Sequence, residues 1–550
     1  MNERTKTGLE ILQAAVLLGV LGDVLLRQTP WGLNVLLFVG ALVAAFVMLV
    51  LRRKQEFWNG RTIALNAALV FFGAMYVWRD SMELKVADFV AIFTILAVLS
   101  LPALKIKTNL AGVFHYFIGF IWSGINAAFA PFFLLIDDIA WKTLPQTGWS
   151  KHLVSVLRGL IIATPLVLIF GALFMAADAV FQGIIEKTLN IQFDVLVSHI
   201  FFVGFFAWAF AGYLRGAIIG SFGNPTPKVP VATNDEIKPQ VSSVTEETET
   251  PKVETAKEEK KNTWQNFDNS VLPPVFTLGA VEISIVLGLI NLLFLSFVIV
   301  QIPYLFGGFE LVQNTPDFKL ADYARRGFGE LVTVAALVLP ILLVSHWLLR
   351  KDSTVSEKIY RVLAGIQIAL LFVIMISAAQ RLFILTGNLG YGLTTVRFYP
   401  FVVMVWLALI FIWFSLTVLR GVREQFAWGA LWLAIFVVGT LHFFNPDQYI
   451  VRTNIRLMNE GRAFDAHYNT SLSDDAVPVL LENMETMNFE QQCRIRYKLS
   501  DRLAKANNET DFRSWNFSRW SARQKLQQYG DGLNPASCPQ NLRGFSHDNF

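Results

Sequence analysis

The feature that most constrains this chain is a series of apolar runs, each about 18 to 25 residues long, such as 33–51 and 362–379. A helix of that length crosses the roughly 30 Å hydrocarbon layer of a bilayer. Within that layer a backbone must satisfy its own hydrogen bonds, which leaves helices and closed barrels as spanning structures. The runs are continuous and lack the two-residue alternation of barrel strands, so helices remain. Only 16% of the 550 residues are charged, against about 25% in a soluble domain, and mean hydropathy is +0.47. The sequence therefore predicts an all-α polytopic membrane protein.

Runs at 9–26, 31–51, 62–78 and 86–104 predict a four-helix membrane region within 1–111. The first follows Arg4 and Lys6 as a signal peptide would. It carries Asp23 and Arg27 at its far end and no small-residue cleavage pattern, so it reads as a retained helix. The stretch 112–137 is apolar but interrupted by Gly119, Gly124, Asn126 and Pro131, and predicts a re-entrant or interfacial hairpin. Leaving it uncrossed keeps the basic loop 52–61 on the same side as the later cations Arg350, Lys351, Lys358, Arg361, Arg420 and Arg423, as the positive-inside rule asks. Helices at 156–181 and 194–219 complete a second region, 112–220. Residues 221–272 combine prolines with a mixed-charge run and few large apolar side chains. That composition predicts a disordered polar linker.

Helices at 276–302, 324–349, 358–385, 396–419 and 425–444 fill a five-helix region, 273–444. The total is about eleven transmembrane helices plus the hairpin. From 445 to 550 the chain is polar, and helical patches at 473–488, 489–507 and 518–529 predict a small soluble helical domain. The charge pattern puts the N-terminus and the linker in the cytoplasm and this domain on the exoplasmic side. There Cys493 and Cys538, the only cysteines, form a candidate disulfide.

The 47 phenylalanines and 15 tryptophans suit lipid-facing surface and interfacial belts. A formal charge of +4, spread along the chain, gives no reason for a nucleic-acid partner. The expected partners are the lipid bilayer and a protein bound by the C-terminal domain. His115, His199, His346 and His442 lie on separate elements without metal-ligand spacing. There is no phosphate loop, no HExxH and no GxSxG elbow, so no catalytic residue, cofactor or metal is predicted and the balance is against an enzyme.

An ionisable group in a spanning helix costs roughly 2.5 kcal/mol or more unless it finds a partner, and so asks for a function. In YARRGFGEL at 323–331, Arg325 and Arg326 stand at the mouth of an apolar run and Glu330 one turn inside it. Arg381 and Arg397 are expected toward the same side. Together with Asp178 these residues make a candidate intramembrane charged cluster, with Glu330 facing Arg381 or Arg397. The plainer readings are a local Arg326–Glu330 pair, arginines that snorkel to the interface, and Asp178 and Glu282 at helix ends. Asp447, Asp465, Asp474 and Asp475 are candidate acids or cation ligands, or helix caps.

Six stretches, RGLIIATPLVLIFGALFMAADAVF (158–181), YARRGFGEL (323–331), YGLTTVRFYP (391–400), NPDQYIVRTNI (445–455), DAHYNTSLSDDAVPVL (465–480) and WNFSRWSA (515–522), together resemble a bacterial multipass membrane family. That family is known only as a domain of unknown function, number 4173. The resemblance spans about 158–525 and implies a bacterial plasma-membrane location with no established activity, cofactor or substrate. The leading functional expectation is a transporter or a membrane transport subunit. The alternatives are a non-enzymatic envelope-assembly or sensing scaffold with an exoplasmic interaction domain, and a membrane enzyme acting on lipid-linked substrates.

Overall fold

In the computed structural model the apolar runs form long helices. Residues 2–141, 193–220, 277–306, 328–349, 354–388, 392–422, 425–508 and 511–542 are described. Among them eleven helices are long and apolar enough to cross a membrane, and no β-strand occurs. The expected helix at 156–181 and the expected linker lie outside the described residues.

The first group comprises α1 (Glu3–Leu26), α2 (Leu33–Arg53), α3 (Gly60–Trp78), α4 (Met82–Leu99), α5 (Val113–Phe133) and α6 (Phe193–Ile218). The second comprises α7 (Ala280–Phe306), α8 (Phe328–Leu348), α9 (Thr354–Phe383), α10 (Thr395–Thr417) and α11 (Phe426–Phe444). Each group has its own buried core, one around Leu49, Leu69 and Phe72, the other around Leu371, Phe411 and Phe414. Helix α11 joins them: Leu431 belongs to the first core and Phe426 to the second.

Neighbouring helices alternate in direction. Arg53 at the end of α2 bonds Glu10 and Glu3 at the start of α1. The Tyr76 hydroxyl near the end of α3 donates to Lys85 O at the start of α4, at 2.7 Å. Gly19 and Gly22 let α6 lie close on α1, because a Cβ at Gly19 would stand 2.6 Å from Val203 O. The bundle thus has a base, where α1 starts and α4 and α6 end, and a crown at the opposite end. Tyr213 Oη donates to Leu96 O at 3.0 Å, tying α6 to α4 near the base.

The hairpin expected at 112–137 does not form. Val113–Phe133 is one continuous helix, extended by a π-helical turn over Leu134–Asp138. The interrupting residues are absorbed within it. Asn126 Nδ2 donates to Trp122 O one turn back at 2.8 Å, and Trp208 of α6 donates to Ala128 O at 2.9 Å near the proline. The middle of α5 and its C-terminal extension nevertheless both lie at the base. Ser123 Oγ is 2.9 Å from Ser100 Oγ just beyond α4, and Asp138 bonds Arg4 of α1 and Arg215 of α6. Helix α5 therefore touches the base ends of α1 and α4 and packs along α6 from Gly216 to Trp208. It turns outward a stripe of exposed apolar residues including Phe117, Ile121, Ile125, Phe132 and Ile136, and Val113–Asp138 is among the eleven helices long and apolar enough to cross.

At the crown the chain runs from α11 into a helical domain of α12 (Pro446–Asn459), α13 (Ala466–Ser471), α14 (Val477–Asn483), α15 (Phe489–Asn508) and α16 (Phe517–Tyr529). Its core includes Ile450, Val477, Leu480, Ile495 and Leu499. Cys493 and Cys538 are bonded, closing a separation of 45 residues. If α5 lies across the base without spanning, single cysteines placed at Asn109 and Ala140 will both react with a membrane-impermeant maleimide from one side. Labelling from opposite sides would make α5 a crossing.

Candidate functional site

The candidate site is a cleft of about 420 Å³ where the C-terminal domain meets the crown. Its wall draws on the α3–α4 turn (Asp80, Met82, Glu83), the start of α10 (Thr395), α12 (Asp447), the segment from Tyr468 to Asp474, and Arg502 of α15.

Local sequence places each of these groups. Asn445, at φ 55°, caps α12 by accepting from Gln448 N at 3.2 Å, and Pro446 then fits the first helical turn. This sets Asp447 on the buried side of α12. Asp465 caps α13 through Tyr468 N, and Tyr468 Oη accepts from Thr395 N at 2.7 Å, fastening the domain to α10. Gly392 is at φ 71°, and a Cβ there would stand 2.8 Å from Asn454 Oδ1, so the turn before α10 needs glycine. Asn454 bonds both polar groups of Leu393 across that contact.

A hydrogen-bonded chain runs inward from the cleft. Asp447 Oδ2 accepts from Ser473 Oγ at 2.5 Å and from Ser473 N at 3.1 Å. Ser473 Oγ also faces Asp475 Oδ2 at 3.3 Å, and Asp475 accepts from Asp80 N and from Arg79 Nη1, at 2.8 and 3.1 Å. Arg79 Nε donates to His442 O at 2.6 Å. Inside the bundle His442 Nε2 stands 3.1 Å from Asp88 Oδ2, with both side chains buried. His442 Nδ1 faces Val438 O at 2.9 Å. A carbonyl only accepts, so Nδ1 carries a proton and the Asp88–His442 contact holds one proton more.

The cleft is acidic. Asp474 is paired with Arg502 at 3.0 Å and Asp80 with Lys85 at 2.6 Å. Arg502 also donates to Thr470 O and Leu472 O. Asp447 is 1% exposed, and among the described residues its Oδ1 has no hydrogen-bond partner. Burial pushes the Asp447 carboxyl up to about 6 against the opposing pull of Ser473, with Asp475 and Glu83 adding to the rise. Asp474 is also pushed up to about 6, by burial first and then by Asp80 and Asp475, while Arg502 and Arg519 oppose the shift. Among the described residues no group of three or more His, Cys, Asp or Glu is placed to hold a metal ion.

The charged residues singled out in the sequence lie elsewhere. Arg325, Arg326 and Asp178 are outside the described residues. Glu330 is exposed on the first turn of α8. Arg381 is buried and its Nη2 donates to Gln301 Oε1 of α7 at 2.6 Å. Arg397 Nη1 donates to Gly392 O at 2.6 Å, and Glu330 takes no part in either bond. Of the four acids noted in the C-terminal region, Asp447 and Asp474 line the cleft, Asp475 stands behind it and Asp465 is a cap. Arg79, Asp80 and Glu83 were not singled out. Their one sequence signal is a dense run of charges between two apolar segments, which reads as an ordinary loop.

Fold and site together define a polytopic integral membrane protein whose helical domain closes a polar cleft on one end of the bundle. The chain matches, over residues 66–483, the family described as Domain of unknown function (DUF4153), and it belongs to that family. The number differs from the 4173 of the resemblance, and the match takes in α3 to α5 while stopping short of 515–522. No curated protein and no solved structure matches.

The raised carboxyls have a consequence for stability. Both hold their protons more tightly in the folded chain than at the ordinary aspartate value of 3.8. Their contribution to stability is therefore complete below about pH 4 and is lost as pH rises through about 6, by up to about 1.4 kcal/mol per pH unit for each group. Asp447→Asn removes one such penalty. Its thermal midpoint in detergent should exceed that of the wild type by a margin that widens from pH 4 to pH 7; a constant or shrinking margin would show that Asp447 is not held protonated by the fold.

Proposed function

We propose that this is a ligand-responsive membrane scaffold, and that the cleft binds an ammonium group of a small molecule or headgroup at the membrane surface. The observation that carries this reading is Asp447, a residue of the cleft wall whose carboxylate is buried and whose Oδ1 has no hydrogen-bond partner among the described residues. A carboxylate in that position needs a cation or a proton. Glu83, exposed on the same wall, supplies a second acceptor. An ammonium fits a site with few ligands better than a metal, which asks for several converging donors.

The charges within the bundle favour this reading over transport. Asp23 with His199 and Arg27, Asp88 with His442, and Asp138 with Arg4 and Arg215 are ion pairs or triads at separate depths and do not converge on one site. We infer a bacterial plasma-membrane location with the base, the N-terminus and the linker in the cytoplasm, because Arg52, Arg53, Lys54, Arg61, Lys105 and Lys107 gather at the base. The crown and its disulfide-bonded domain are then exoplasmic, where a disulfide persists and where the domain can meet a protein partner.

Calorimetric titration with ethanolamine and with spermidine at pH 7.5 tests the reading. Saturable binding is expected, at least tenfold weaker at pH 5 and absent in Asp447→Asn, while Asp465→Asn, at the cap outside the cleft, binds as wild type. No binding by the wild type, or equal binding by Asp447→Asn, would refute the site. Uptake of either amine into proteoliposomes would restore transport as the better description.

A further inference from the structure

A second site lies on the outer surface of the first helix group, at the crown end of the contact between α1 and α6, and shares no residue with the cleft. Asp23, one turn before the end of α1, is 5% exposed. Its Oδ2 stands 2.5 Å from His199 Nδ1 of α6, and its Oδ1 lies 3.7 Å from Arg27 Nη1. Arg27 also lies over the ring of Phe202, one turn along α6 from His199, with Cζ 5.7 Å from the ring centroid. The carboxylate is buried but the two basic groups beside it are open: the Arg27 and His199 side chains are 35% and 49% exposed.

The bonding of these groups leaves donors directed outward. A carboxylate only accepts, so the proton between Asp23 and His199 sits on Nδ1. His199 Nε2, on the far side of the ring, then faces away from Asp23. At 3.7 Å the Arg27–Asp23 contact is too long for a hydrogen bond, and among the described residues neither Arg27 nor His199 Nε2 makes another. Guanidinium and imidazole flank one carboxylate over one stretch of α6, so a single tetrahedral anion can reach both. With His199 protonated, Asp23 cancels one of the two positive charges, and the charge that remains matches a singly charged anion.

Position narrows the occupant further. Arg27 directly follows the last residue of α1, at the level where lipid headgroups lie. Below it, exposed Val20 and Leu17 of α1 and Phe201 and Phe205 of α6 present an apolar surface toward the base. An arginine that only snorkels to the interface needs neither a buried acid nor a histidine beside it. We propose that Arg27 and His199 bind the phosphodiester of a phospholipid, with Asp23 orienting the imidazole, Phe202 supporting the guanidinium, and the acyl chains lying along α1 and α6. The guanidinium fork suits phosphate oxygens.

The test uses the full-length protein, delipidated in a non-ionic detergent, with three probes: dioleoylphosphatidylglycerol, dioleoylglycerol and inorganic phosphate. Phosphatidylglycerol has no ammonium group, so its binding is read apart from that of the cleft. It is expected to bind saturably and to raise the thermal midpoint, dioleoylglycerol to bind at least tenfold more weakly, and inorganic phosphate to leave the midpoint unchanged. Arg27→Gln and His199→Asn are each expected to lose at least tenfold in affinity for phosphatidylglycerol. Arg61→Gln, at an exposed position near the start of α3, is expected to bind as the wild type. Arg27→Lys, which keeps the charge without the fork, serves where glutamine disturbs the fold, and is expected to bind more weakly than the wild type. Equal binding of the two lipids, wild-type affinity in the Arg27 and His199 variants, or an equal loss in Arg61→Gln would overturn the site. An equal rise in midpoint with inorganic phosphate would overturn its assignment to a lipid.

Discussion

The structure depends most on Arg79, which stands in the short α3–α4 turn at the crown and is shared by three parts of the chain. Its Nε donates to His442 O at the end of α11, its Nη1 donates to Asp475 of the C-terminal domain, and its own carbonyl accepts from Asn516 Nδ2 at the start of α16. A guanidinium has five donors in a rigid fork, so it can satisfy several acceptors at fixed angles where a lysine ammonium could not. The arrangement closes the polar ends of helices at a place where bulk water gives way to lipid. It also fixes the distance between bundle and domain, and with it the width of the cleft.

Around that point the domain grips the first helix group by its backbone. Leu33 N donates to Trp515 O at 2.9 Å, Arg519 Nη2 donates to Trp31 O at 3.1 Å, and Arg513 Nη1 donates to Val24 O at 2.6 Å. Together with Tyr468 on Thr395, these contacts reach both helix groups. The domain thus acts as a bracket across the crown. The buried Asp88–His442 pair does the same a turn or two deeper, joining α4 to α11, and hydrogen bonds connect it step by step to Asp447.

Much of the fold was legible because hydrocarbon imposes length and apolarity on helices directly: the boundaries of α2, α3, α10 and α11 fall within a few residues of the runs that announce them. The hairpin at 112–137 failed on a different ground. Gly124 and Pro131 mark where a helix is weak, but indole and carboxamide groups from α6 and from within α5 can hold such a helix straight, and those partners are remote in sequence. The element is instead one of the eleven helices long and apolar enough to cross. The site was half legible. YGLTTVRFYP, NPDQYIVRTNI, DAHYNTSLSDDAVPVL and WNFSRWSA were each visible as unusual polar stretches beside apolar ones, and all four meet at the crown. Nothing in their spacing said that they meet, nor that Arg79 and Asp80, nearly 400 positions from Asp475, complete the arrangement.

The most direct test of this joined architecture is a double-mutant cycle across Arg79 and Asp475, using Arg79→Met, Asp475→Asn and the pair, with unfolding of the full-length protein in detergent as the measurement. If the guanidinium and the carboxylate hold domain to bundle, the two changes will be non-additive by about 1 to 3 kcal/mol. Additivity to within about 0.3 kcal/mol would mean that the domain rests on the crown without being fastened there, and the cleft would lose its claim to be a built site.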